Sequence, residues 1–235
     1  MKQVNNLMPK GKPKGKGGEI YHFDIVQGTW EWDEIRLGRI TGSGVSALMS
    51  DPRSKKDKEL GLLSDGAKSY ILQKVSECQL GYSGDKIEIK QFEWGHKYEP
   101  EARDYYQIQE GVIAIEVGFV EYNKWIGISP DSLIGNDGGL EIKCPYKNQI
   151  HLKYLELKNQ DDLMKVEKGY FYQIMMALWI TGRSWWDFVS YDPRMTNSFR
   201  FHKVRVERDE SVIKEIKFRC QRASGVIQEK LINYA

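Results

Sequence analysis

The chain has 235 residues, with 35 Lys and Arg against 33 Asp and Glu, and a formal net charge of +2. That length buries a sizeable core in one domain, while the near-neutral balance excludes a general sponge for polyanions. No apolar run approaches a membrane span and no signal-peptide core follows the start; three scattered cysteines (Cys78, Cys144, Cys220) exclude a disulfide framework, a zinc knuckle and a four-cysteine iron–sulfur cluster.

Residues 1–18 hold five lysines and no acid, which leaves −3 for the rest. The Lys/Gly/Pro tract from Pro9 to Gly18 has no apolar periodicity, so 1–18 is expected to be a flexible arm ahead of a single domain over 19–235. The arm either binds nucleic acid weakly through counterion release or aids solubility. Any nucleic-acid site in the body has to be a local basic channel that offsets its own acids.

Onward from there, Gly28 to Arg36 predicts a short helix carrying Trp30 and Trp32. A second helix begins near Ser43, Ser50 to Ser64 is a charged loop, and Ala67 to Leu80 has an apolar stripe at helical spacing. A helix over Phe92–Glu110 is followed by strands at Val112–Val120, Trp125–Ser129 and Leu140–Lys143. A short helix at Ile150–Leu157 precedes a very apolar one at Tyr170–Thr181, ended by Gly182. Strands at Trp185–Tyr191 and Ser198–Val206 and a helix from Asp209 to Ile232 complete an α/β domain with a mixed central β-sheet flanked by helices.

Ser129-Pro130-Asp131 stands ten residues ahead of Glu141-Ile142-Lys143, with Gly135-Asn136-Asp137-Gly138-Gly139 between them suited to a tight reversal. On a strand alternate side chains share a face, so Glu141 and Lys143 point together and Ile142 turns into the core. Across a hairpin Asp131 meets Glu141, and two carboxylates with an ammonium beside them converge. Hard oxygen ligands of this kind suit Mg²⁺, which activates water and neutralises a phosphate, so the chemistry suggested is phosphodiester cleavage. An acid–apolar–lysine alternation also occurs on many solvated strands, so residues outside the hairpin have to decide.

Glu99 lies at the edge of a stripe of Trp94, Tyr98 and Tyr105, within reach of a metal, although an exposed helical glutamate looks the same. Gln173 interrupts a helix apolar nearly all round and needs a partner, either a site residue, the attacking water or a backbone carbonyl. Arg36 precedes Thr41-Gly42-Ser43 at a helix start, a pairing that suits a phosphate but also describes a surface arginine and an ordinary cap. His22, His96, His151 and His202 lack zinc spacing and read as surface or packing residues.

In order, Arg36-Leu37-Gly38-x-Ile40-Thr41-x-Ser43, Trp94-Gly95 through Glu99, Ser129-Pro130-Asp131, Leu140-Glu141-Ile142-Lys143-Cys144-Pro145, Gln173 and Tyr191-Asp192-Pro193-Arg194-Met195 resemble one family. It is that of bacteriophage lambda exonuclease and the YqaJ-like viral recombinases, with the restriction-endonuclease-like PD-(D/E)xK core. The resemblance spans about residues 28–215, leaving the arm outside. It implies a single nuclease domain that digests one strand of linear duplex DNA from the 5′ end, yielding 5′-mononucleotides and a 3′ single-stranded tail for recombination. Two Mg²⁺ ions, with Mn²⁺ as a substitute, would be held by Asp131, Glu141, the Ile142 carbonyl and Glu99. Lys143 would orient or deprotonate the water with help from Gln173, and Arg36, Ser43 and Ser129 would hold the 5′-phosphate. The resemblance also implies a ring-shaped homotrimer and a single-strand annealing partner; the scattered cysteines read as reduced thiols, so a cytoplasmic location is expected, that of a bacterial host if phage-encoded. An endonuclease with the same core and a non-catalytic DNA-binding recombination scaffold are the competing readings.

Overall fold

The computed structural model describes residues 17–83 and 89–234. All of the lysine-rich arm except Gly17 and Gly18 therefore lies outside the described residues.

A three-stranded antiparallel sheet, ordered β1-β3-β4, is made by β1 (Ile20–His22), β3 (Phe119–Asn123) and β4 (Ile126–Ile128). The five-stranded sheet, ordered β2-β5-β6-β7-β8, contains β2 (Ala114–Ile115), β5 (Ser132–Ile134), β6 (Gly138–Lys143), β7 (Trp185–Tyr191) and β8 (Phe201–Glu207). Only β6 and β7 run parallel in it, joined through helices, so the expected mixed sheet is what forms.

Helices cover both faces. α4 (Asp65–Leu80), α8 (Lys168–Thr181) and α9 (Glu210–Asn233) bury the larger core, with Phe188, Val204 and Val206 of the sheet. α5 (Ile89–Glu110) covers the other face, packing Ala102 and Tyr106 on Leu140, Ile142, Val189 and Tyr191. The period-2 alternation of β6 thus sends Leu140 and Ile142 toward α5, and Glu141 and Lys143 toward α8. α8 is apolar all round because it meets α7 (Gln160–Val166), α9, the sheet and the short α2 (Val45–Leu48) together.

Several expected elements change. The strand expected over Val112–Val120 is split between two sheets at Gly118, whose N–H donates to the His22 carbonyl at 3.0 Å. A Cβ there would lie 2.1 Å from the Ile25 carbonyl oxygen. The expected reversal at 135–139 is confined to 135–137; Gly138 and Gly139 are strand residues, roofed by Trp185 and Trp186. The charged stretch 50–64 contains α3 (Lys55–Glu59), capped by Ser54, and α7, capped by two N–H bonds to Asn159, follows α6 (Asn148–Tyr154). The strand expected from Ser198 starts at Phe201. On α5 the most buried positions are Ala102, Arg103 and Tyr106, not the expected Trp94, Tyr98 and Tyr105.

Candidate active site

The site forms where β6 outruns β5. Their pairing ends at Ser132↔Leu140. One step on, Asp131 falls beside Glu141 and Pro130 beside Ile142, but proline has no N–H to continue the ladder. The Pro130 carbonyl instead accepts from Gln27 Nε2 at 2.8 Å. Freed from β5, the Ile142 N–H donates to Asp131 Oδ2 at 2.5 Å. In extended chain a residue's N–H and C=O lie on one edge, so the Ile142 carbonyl faces the same opening.

Glu141 is 2% exposed. Its Oε1 accepts from Gln173 Nε2 at 2.7 Å and from Lys143 Nζ. Gln173 therefore finds its partner in a site residue. The fit is close: a Cβ on Gly42 would come within 3.0 Å of Gln173 Cγ. Lys143 Nζ lies 4.8 Å above the Tyr170 ring. Glu99 enters from α5, with Arg103 one turn later donating to Oε1 at 2.6 Å and also pairing with Glu116 at 3.0 Å.

The electrostatics follow from burial. Desolvation pushes the Glu141 carboxyl up to about 7, against the pull of Lys143 and with a further push from Asp131. Desolvation and then the Asp131 charge push Glu99 up to about 8. Asp131 is also raised by burial, against Lys143 and the Ile142 N–H. Burial would lower Lys143, but the Glu141 and Asp131 carboxylates outweigh it and hold the ammonium form.

Among the described residues no three His, Cys, Asp or Glu groups form a ready-made cage for an ion, since Asp131 and Glu141 are turned onto N–H donors. The donor set nonetheless fits a hard divalent cation. It is all oxygen, it includes a carbonyl released from its ladder, and its three carboxyls all hold protons more tightly than usual, so the site is short of positive charge.

A second group shares the cleft. The Arg36 guanidinium, at the end of α1 (Trp30–Arg36), stacks 4.0 Å over Trp32, and donates to Ser129 Oγ at 3.1 Å and Ser43 Oγ at 3.4 Å. Trp32 Nε1 also donates to Ser129 Oγ, at 2.9 Å. Arg36 makes no ion pair among the described residues. The helix expected at Ser43 is a 3₁₀ turn, Gly42–Gly44, leading into the four-residue α2, too short to build a dipole of consequence, so the positive charge here is that of Arg36. Arg36, Ser43 and Ser129 line one cleft of about 460 Å³ together with Glu99, Asp131, Glu141, Ile142, Lys143 and Gln173. All nine residues singled out in the sequence therefore meet there.

Sequence reasoning missed four supporting residues. Arg103 had a signal, since Glu99 and Arg103 are spaced i,i+4 on one helix. Trp32 was visible only as a helix residue and Tyr170 only as an apolar one; Gln27, which latches the Pro130 and Val117 carbonyls, had no signal.

A model of the YqaJ-like viral recombinase domain matches residues 31–184. No curated protein matches the chain. The crystal structure of an alkaline exonuclease (LHK-Exo) from Laribacter hongkongensis is 28% identical, with a TM-score of 0.73, over 88% of this chain and 96% of that one. LHK-Exo in complex with dAMP gives the same values. A phage related exonuclease from Haemophilus somnus, 18% identical with a TM-score of 0.71 over 84% of this chain and 96% of that one, shares the fold.

Proposed function

Because the chain belongs to the YqaJ-like viral recombinase family, we propose that it is a Mg²⁺-dependent 5′-to-3′ exonuclease acting on linear double-stranded DNA. It releases 5′-mononucleotides and leaves a 3′ single-stranded tail for recombination. The observation that carries this reading is the shared cleft, in which Arg36 with Ser43 and Ser129 sits alongside Asp131, Glu141 and Lys143. A terminal phosphate anchor serves an enzyme that measures from an end and has no use in one that cuts internally. The resemblance to LHK-Exo, which binds dAMP, a deoxynucleoside monophosphate, supports the same product class.

Asp131, Glu141, the Ile142 carbonyl and Glu99 would hold Mg²⁺, with Mn²⁺ as a substitute. The ion supplies an activated water and neutralises charge on the phosphate. Lys143, whose Nζ donates to Glu141 beside the carboxylates, orients or deprotonates the attacking water. Gln173 fixes the Glu141 carboxylate and so keeps its other oxygen free. Arg36 and the two serines bind the 5′-phosphate and set polarity. The family reading extends to a homotrimeric ring, a single-strand annealing partner and the cytoplasm of a bacterial host. Among the described residues no helix is long and apolar enough to cross a membrane.

The test is incubation with Mg²⁺ and linear, 5′-phosphorylated duplex, with closed circular duplex in parallel. Mononucleotides from the linear DNA alone are expected. Nicked or cut circles would overturn the reading in favour of an endonuclease.

A further inference from the structure

We infer that the groove beyond Lys143 binds the DNA backbone on the 3′ side of the scissile bond, with Lys147 contacting the second internucleotide phosphate and Tyr146 walling the path. This rests on the exonuclease reading, which gives the strand its direction. With the 5′-terminal phosphate at Arg36 and the first internucleotide phosphate at Glu141 and Asp131, the strand has to leave past Lys143.

The cleft continues on that side. It shares Gln91, Lys143, Cys144 and Tyr170 with a groove of about 310 Å³, whose lining also includes Tyr146, Lys147 and Glu167, the last accepting from the Tyr154 hydroxyl at 3.1 Å. On the opposite side, at Arg36 and Ser43, it opens into a different hollow. The order along the surface is therefore phosphate anchor, carboxylates, Lys143, then Lys147. Lys147 is exposed and makes no ion pair among the described residues. Outside residues 1–18 the chain carries a net −3, so cations that follow the acid cluster along one groove are where a polyanion can be accommodated.

The segment carrying these residues is braced. Arg194 Nη2 donates to the Pro145 carbonyl at 3.3 Å while its guanidinium lies 4.3 Å over Trp94. Trp94 in turn meets the Tyr146 ring edge-on at 5.8 Å. Arg194 is itself gripped by Asp192, Nε to Oδ1 at 2.8 Å and Nη2 to Oδ2 at 2.7 Å, and Asp192 is fully buried. The Tyr191-Asp192-Pro193-Arg194 motif touches none of the carboxylates at the site. It instead fixes the turn after Lys143, so that Tyr146 and Lys147 stand at a set place in the groove. A rigid support of this kind is what a positioned phosphate contact requires.

The experiment is a cycle of two changes. Wild type and Lys147→Ala are each titrated, in EDTA to prevent cleavage, with a 5′-phosphorylated duplex carrying either a normal or a neutral methylphosphonate second internucleotide linkage. Either change alone is expected to weaken binding about fivefold, and the two together no more than one. Lys147→Ala should also flatten the salt dependence by about one phosphate contact, and Lys147→Arg should restore it. Additive losses, or an unchanged salt slope in Lys147→Ala, would overturn the assignment. Cleavage of linear DNA by wild type with Mg²⁺, run in parallel, reports separately on the exonuclease reading.

Discussion

Among the described residues, Lys143 and Arg36 are the lysine and the arginine that line the cleft, and they differ in what surrounds them. Lys143 is wedged between Glu141 and the Tyr170 ring, and its removal leaves a 2%-exposed carboxylate with Gln173 alone. Lys143→Met is expected to lower kcat by about a hundredfold or more while the far-UV CD spectrum is kept. Turnover within a few-fold of wild type in the folded variant would remove Lys143 from the mechanism. Arg36 is held by stacking and two hydroxyls, so its charge remains available to an incoming anion. Arg36→Ala should erase the preference for 5′-phosphorylated over 5′-hydroxyl ends, a loss of about tenfold or more, read as the ratio of kcat/KM on the two ends. A preference that survives would assign the terminus to another group.

Strand β6 joins stability to function, because the run that carries Glu141 and Lys143 begins under two tryptophans. A Cβ on Gly139 would meet the fully buried Trp186 ring at 2.3 Å, and one on Gly138 would meet the partly exposed Trp185 at 2.1 Å. Trp185 has solvent to move into and Trp186 has none. Gly139→Ala should therefore cost about 2–3 kcal/mol and Gly138→Ala about 1 kcal/mol, measured by denaturant unfolding. Equal costs would mean that the sheet gives as a whole. The same glycines show how far the sequence could be read. Their composition marked a turn correctly but could not say where the strand resumed, because what makes them strand residues is the pair of rings from β7, far along the chain. The long helices α4, α5, α8 and α9 and the strands β6 and β7 could be read locally, α4 and α9 from helical spacing and α8 and β7 from apolar runs of helix and strand length, since burial on both faces leaves no alternation to follow. α3 and α7, with five and seven residues, were missed because they are too short for periodicity and depend on their Ser54 and Asn159 caps. The site residues were readable as an ordered set of motifs. Most of their supports were not, because Gln27 and Trp32 act through carbonyls and side chains that only the fold brings near, whereas the i,i+4 spacing of Arg103 from Glu99 was there to be read.

Across the whole molecule, the three raised carboxyls make stability depend on pH and on metal together. Glu99 and Glu141 hold protons up to about 8 and about 7 when folded, whereas the unfolded chain releases them near the usual 4.5. Between these limits the folded state binds more protons than the unfolded one, so stability falls as pH rises. The contribution is complete below about pH 4.5 and lost by about pH 8, on the order of 3 kcal/mol for Glu141 alone. In EDTA, Tm is expected to drop between pH 5.5 and 8 by roughly 5–10 °C more than in Glu141→Gln, which has no charge to bury. A divalent cation supplies the missing positive charge only when the carboxyls are ionised, so Mg²⁺ should raise Tm at pH 8 and hardly at pH 5.5, with Glu141→Gln blunting the effect. The same competition between proton and metal means that activity at limiting Mg²⁺ climbs through pH 7–8, and that added Mg²⁺ moves the rise to lower pH. A metal-free Tm with the same pH slope in wild type and Glu141→Gln would show that these carboxyls ionise in the folded protein as they do in water.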